Sequence, residues 1–229
     1  MRISFFLLLI PSTLPSSAPS QQPQFPEQFS TQIIITSNLL PDDGPSYPPR
    51  ERHINLSYST IQQAATIEIS KGYEAGKTYT RHYKTKYEYM VKSGKYPSCQ
   101  RSHLLEPMSP PSLPHLVYIG KTVIEGIATK HYVHEIANGI ERAHVYFLDD
   151  DATPNPRRLV HEDIGADGEV TTLMTYDFIN FVAVGEDQDF AKEGVFNLPS
   201  EYNDDPRVNC ERHVGGWGWI HLFHHYLKV

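Results

Sequence analysis

The sequence predicts a mainly β protein whose antiparallel sheet is strongly curved and whose last residues form one short helix. Three observations carry that expectation. Run after run alternates apolar and polar residues with period two, the mark of a strand with one buried face. The stretch from His115 to Asp149 reads as two such strands joined at Asn138-Gly139, the dipeptide that best suits a type I′ turn because both central residues need positive φ. The apolar parity then slips within a later run, where Tyr176 and Phe178 give way to Ile179 and Phe181. Such a slip is what a bulge or bend in a curved sheet produces.

Taken in order, the chain opens on MRISFFLLLIPSTLPSSAPS, with Arg2, an apolar run from Ile3 to Ile10 and then small residues, the layout of a secretory signal peptide over 1–20. That apolar run is too short to span a bilayer, and no later run is long enough either, so no integral membrane segment is expected. Residues 21–27, QQPQFPE, read as a mature N-terminal arm, 28–214 as the β domain and 215–229 as the terminal helix. In the first strand Phe29, Thr31, Ile33 and Ile35 share a parity opposite to Ser30, Gln32 and Thr36. Four prolines and a glycine between Pro41 and Arg50 forbid regular structure there.

Ile54, Leu56 and Tyr58 form the buried side of a second strand, whose wet side presents Asn55 within the sequon Asn55-Leu56-Ser57, a glycosylation acceptor. A third strand runs over Ala65, Ile67 and Ile69. The fourth is expected to be the longest: Tyr79, Tyr83, Tyr87, Tyr89 and Val91 all fall on odd positions, and a single strand keeps all five on one face where a helix would not. This tyrosine row is either ordinary core or the wall of a ligand site with its hydroxyls at a wet rim. Pro97 to Pro114 reads as a loop, Arg158 to Ile164 as a short strand and Glu169 to Val184 as a long one. In the tail, Trp219, Leu222, Phe223, Tyr226 and Leu227 share one helical side after the Gly215-Gly216 break, with His221, His224, His225 and Lys228 opposite.

Composition narrows the function. Without Arg2 the chain carries 19 basic and 27 acidic side chains, a net charge of −8, which repels phosphate backbones and argues against nucleic acid as a partner. Cys99 and Cys210, in a chain bound for an oxidising compartment, are expected to form one disulfide worth about 4–5 kcal/mol in the chain-entropy model; two unpaired thiols are the alternative. His131 and His134 lie three apart, so on a strand they face opposite ways and cannot share a metal. His221 with His224 or His225 sits at helical spacing, but a solvated polar face explains these residues as well. The acidic groups Asp149, Asp150 and Asp151, and Glu186, Asp187 and Asp189, could offer oxygens to calcium, yet neither has the spacing of an EF-hand loop. No resident metal or cofactor is expected. No nucleophile elbow, HExxH, P-loop or GxGxxG occurs, and the chain is not expected to be an enzyme.

Three runs, VYIGKTVIEG, TYDFINF and DQDFAKEGVFNLP, resemble the signature of the ependymin-related and LolA-like secreted domains, over roughly Phe25 to Pro199. The same domain type occurs at the N-terminus of counting-factor-associated papain-like cysteine proteases. The resemblance implies a half-open β-barrel whose concave side takes a hydrophobic or lipid-like ligand. Two positions depart from the pattern: Thr129 stands where a cysteine is expected and Tyr132 where a tryptophan is. The Cys99 partner must then be Cys210 or nothing. Parity and aromatic content choose Tyr79, Tyr83, Tyr87, Tyr89, Tyr176 and Phe178 as the lining of such a ligand site. The open face needs a cover: the terminal helix, a second subunit in a homodimer, or a lipid. The leading expectation is a secreted, non-catalytic binder of a hydrophobic or lipid-like molecule. Its rival is an extracellular interaction or matrix protein with an occluded sheet and an acidic surface that binds calcium.

Overall fold

The computed structural model describes residues 23–40, 50–72, 74–108, 115–136, 139–149, 154–185 and 190–217. Within them the chain forms β1 Gln28–Ser37, β2 Glu51–Ser59, β3 Ala64–Lys71, β4 Lys77–His82, β5 Tyr87–Lys92, β6 Ser98–His103, β7 Val117–Ile124, β8 Ile127–Ile136, β9 Glu141–Leu148, β10 Pro156–Ile164, β11 Val170–Ala183 and β12 Glu211–Arg212. Three helical turns, α1 Phe190–Glu193, α2 Ser200–Asn203 and α3 Pro206–Asn209, precede the last strand. The twelve strands make one sheet in the order β12-β6-β5-β4-β3-β2-β1-β11-β10-β9-β8-β7. The fold class is therefore the curved, mainly antiparallel sheet that the alternation predicts.

Two meanders, β1 to β6 and β7 to β11, join where β1 pairs with β11. The connection from β6 to β7 has to travel from one side of the sheet to its opposite edge. Laid flat, ten strand spacings would separate them by about 48 Å. The fourteen steps from His103 to Val117 reach about 46–50 Å when fully extended, so a flat sheet would leave the connection pulled straight. Both described ends of that connection also turn inward, with Leu104 and Leu116 buried and Met108 packed on the core. Only a curled sheet satisfies both requirements. Bulges supply the curl: the β1–β11 register slips between Ser30 and Gln32, opposite Ile179 and Val182, and β10–β11 slips between His161 and Glu162. The first slip lies where the sequence parity changes.

Several local expectations are corrected. Tyr79 to Val91 is a hairpin, β4–β5, and not one strand, because the chain turns over residues 83–86 with Lys86 at φ 60°. The stretch from His115 to Asp149 holds three strands rather than two. Glu125 and Gly126, at φ 51° and 81°, make a two-residue turn of the primed kind between β7 and β8, whereas β8 and β9 are joined over residues 137–140, where the Asn138 of the expected turn lies outside the described residues. The loop expected from Pro97 to Pro114 contains β6, which pairs with β5 along its whole length. Cys99, in β6, forms the expected disulfide with Cys210, just beyond α3, with Cα atoms 4.7 Å apart. The expected signal peptide lies outside the described residues, as does the terminal helix beyond Trp217.

Candidate functional site

The concave face is built by strict alternation. Phe29, Ile33 and Ile35 from β1, Ile54, Leu56 and Tyr58 from β2, and Ile67 and Ile69 from β3 form its floor. Tyr132, Val145, Phe147, Leu159, Tyr176 and Phe178 continue it across the second meander. Of the residues chosen from sequence, Tyr79, Tyr83, Tyr176 and Phe178 belong to this one cluster. Tyr87 and Tyr89 do not: they pack with Val91, Leu198 and the Cys99–Cys210 bridge in a separate cluster. The reason is the turn at 83–86. It pairs Tyr79 with Met90, and His82 with Tyr87, so the two later tyrosines share the opposite face with Thr80 and His82.

Among the described residues, three pieces of chain cover the concavity. The arm brings Phe25 into contact with Phe29, Phe147, Phe178 and Phe181, with ring centroids 5.7, 6.1, 6.4 and 6.2 Å away. The start of the β6–β7 connection lays Leu104 and Met108 over the floor near Tyr83. Trp217 closes edge-on against Tyr79 at 5.8 Å and stacks on His213. Tyr79 and Tyr176 are accordingly only 1% and 3% exposed.

Among the described residues, the cover is incomplete beside Leu104–Met108. Two cavities, about 290 and 300 Å³, flank the segment Leu104–Met108 and share Leu104, Leu105 and Glu106 as walls. Glu88, His103 and Gly216 also line the first, and Tyr83, Gln63, Lys86, Pro107 and Met108 the second. Two of these walls, Glu88 and Glu106, belong to a charged group that sequence reading missed. Arg81, 1% exposed, donates from Nη1 to Glu106 Oε1 at 2.7 Å, and its Nε stands 3.2 Å from Glu88 Oε2. Burial pushes the Tyr83 hydroxyl up to about 12, against the pull of the Arg81 charge and hydrogen bond, so it stays protonated and able to donate. Burial also raises Tyr58, with the neighbouring Tyr83 adding to the effect. The signal was present in the sequence: Arg81 has the parity of Tyr79 and Tyr83, and a charge on an apolar face needs a partner. The site is thus an apolar recess with a hydrogen-bonding, ionic end.

The other candidates fall elsewhere. His131 and His134 occupy opposite faces, as their spacing requires. His131 Nε2 and His144 Nδ1 are 2.8 Å apart, His144 Nε2 lies 2.9 Å from Glu162 Oε2, and Arg142 donates to the same carboxylate at 3.0 Å. This chain of side chains across β8, β9 and β10 was not foreseen, because its members are scattered in sequence and meet only through register. Burial, then the charge of His144, lowers the His131 pKa, and burial lowers that of His134. Among the described residues no group of three or more ligands is placed to hold a metal ion. Asp149 pairs with Lys121 at 2.7 Å; the rest of the two acidic groups and the tail histidines lie outside the described residues. Asn55 is exposed on the convex face. No helix among the described residues is long and apolar enough to cross a membrane.

No protein-family model matches the chain, and no curated protein matches it. Solved structures show a distant likeness. An uncharacterised conserved protein from Thermus thermophilus is 13% identical with a TM-score of 0.48, over 81% of this chain and 90% of that one. LprF from Mycobacterium bovis is 14% identical with a TM-score of 0.39, over 71% and 89%. A putative outer membrane lipoprotein-sorting protein domain from Vibrio parahaemolyticus is 8% identical with a TM-score of 0.27, over 74% and 91%. At this level of overlap the likeness assigns neither a family nor a ligand.

Proposed function

We propose that this chain is a secreted, non-catalytic carrier that holds one hydrophobic or lipid-like molecule between the concave face and the segment Leu104–Met108. The observation that supports the reading is the pair of adjoining cavities of about 290 and 300 Å³ under that segment. Each is at the lower end of ordinary ligand sites, and they share walls, so a modest shift of Leu105 and Glu106 joins them into one recess of typical size. The apolar tail of the ligand lies against Tyr83, Leu104 and Met108, and its polar end meets the Arg81, Glu88 and Glu106 group. Passage out of the cytosol accords with the apolar leader Ile3–Ile10 and with the Cys99–Cys210 bridge.

The experiment is native mass spectrometry with organic extraction on the full chain secreted from a eukaryotic host. A co-purifying mass that extracts as a fatty acid or phospholipid supports the carrier. A clean protein mass, together with no uptake of a fluorescent acyl probe, overturns it. A second reading is favoured by a specific observation: Phe25, Leu116 and Trp217 already occupy much of the concave face. In that reading the sheet is occluded and the domain serves extracellular interactions through its surface. The same measurement separates the two.

A further inference from the structure

The convex face carries a second recess, independent of the covered concavity. A groove of about 310 Å³ opens where β1, β2 and β11 adjoin, with Ser30, Gln32, Asn55, Ser57 and Asn180 in its walls. It owes its existence to the bulge: the register slip between Ser30 and Gln32 bows β11 outward at Asn180. Asn180 sits at φ 51°, a left-handed conformation that asparagine tolerates better than most side chains. Thr31 Oγ1, donating to the Ile179 carbonyl at 3.1 Å, pins the distortion. The walls are amides and hydroxyls without a formal charge. Ser30, Ser57 and Asn180 make no side-chain hydrogen bond with another described residue, so their polar groups stand ready for an outside partner.

Asn55 is itself part of the wall. Its Nδ2 donates to Glu68 Oε2 at 3.2 Å and its Oδ1 accepts from Gln32 Nε2 at 3.5 Å. An amide nitrogen has two hydrogens, and only one is used here. Ser57, two residues on, shares the face of Asn55 and completes the sequon.

We infer that Asn55 carries an N-linked glycan and that the first N-acetylhexosamine ring lies in this groove against Gln32, Ser57 and Asn180. The transfer forms a bond between Asn55 Nδ2 and the sugar C1. The C1–O bond to a polyprenyl-diphosphate-linked oligosaccharide breaks, the diphosphate leaves with the electron pair, and one amide proton is lost. The remaining Nδ2–H keeps its bond to Glu68. A neutral ring rich in hydroxyls and one acetamide suits neutral amide and hydroxyl walls, whereas a charged ligand finds no countercharge among them.

The test uses the full chain made in two hosts, one eukaryotic and secreting, the other the oxidising periplasm of a bacterium, which adds no such sugar. Peptide mapping reads occupancy of Asn55, and an endoglycosidase trims the glycan to one ring. The single-ring form should melt about 2–4 °C above the unglycosylated form, the shift that a modest contact gives in a chain of this size. Gln32→Ala with Asn180→Gly, the latter keeping the backbone free to hold its left-handed conformation, should remove that difference while both forms stay folded. An unoccupied Asn55, or a gain of the same size in the groove variant, overturns the inference.

Discussion

In the meander from β1 to β6, full charges lie beneath the cover: Arg81 and Glu88 are buried and Glu106 reaches down to them. In the meander from β7 to β11, the arginine ion pairs lie on the convex side and reach solvent, where Arg142 meets Glu162 and Arg158 meets Asp177, each side chain 16–29% exposed. The concave side there is mostly aromatic and aliphatic, sealed by Phe25, with the imidazoles of His134 and His161 buried in it and Glu141 Oε2 3.0 Å from His161 Nε2. The contrast explains where the cavities are. A close-packed apolar surface closes on itself, but a buried guanidinium must be surrounded by oxygen ligands, and the one carboxylate brought down from the covering segment, Glu106, holds that segment off the floor. The recess and the charge come together because one creates the room for the other.

This contrast can be broken or sharpened in four ways. The largest effect is expected from Arg81→Ala, which strands Glu88 without its cation and should cost about 3–5 kcal/mol in urea unfolding. An equal loss from Arg142→Ala on the convex side would erase the distinction between the halves. Next, Phe25→Ala removes a ring that touches four others and should cost about 3 kcal/mol, at the lower end for phenylalanine because a chain segment is free to collapse onto the gap. If the second meander owes its seal to Phe25, hydrogen exchange should quicken in β9 and β11 and remain unchanged in β4 and β5.

The third concerns pH. Burial holds His134 below its ordinary value near 6.5, and burial with the His144 charge does the same to His131. With lowered folded-state values, the unfolded chain takes up the protons first. Stability is therefore complete above about pH 6.5 and declines as the pH falls below it. The decline should be confined to the second meander and be shallower in His134→Asn, as read by denaturation midpoints between pH 7.5 and 5. Glu125 and Glu51, held low mainly by Arg157 and by Lys71, add their own losses only at more acid pH, below the ordinary carboxylate value near 4.5. The smallest effect is expected from Glu125→Gln: its carboxylate is 54% exposed, and the change should stay within about 1 kcal/mol.

Much of the architecture is legible in the residues alone, because alternation is a direct imprint of a sheet with one dry face. The first three strands, the place of the bulge and the partnership of Cys99 with Cys210 all follow from local pattern or from the count of available groups. What alternation hides is a turn without a breaker. Tyr83-Lys84-Thr85-Lys86 contains no glycine, proline or asparagine, so the odd-numbered tyrosines read as one row. The hairpin divides them, sending Tyr79 and Tyr83 to the concave side and Tyr87 and Tyr89 to the disulfide side. Nor does local pattern reveal which distant strands become neighbours. That Arg81 finds Glu88 depends on hairpin register, that it finds Glu106 depends on a connection crossing the sheet, and that His131 reaches His144 and Glu162 depends on three strands in line. Periodicity decides the face of a residue within its own strand, whereas the partners of a buried charge are decided by strand order and register, which only the folded sheet sets.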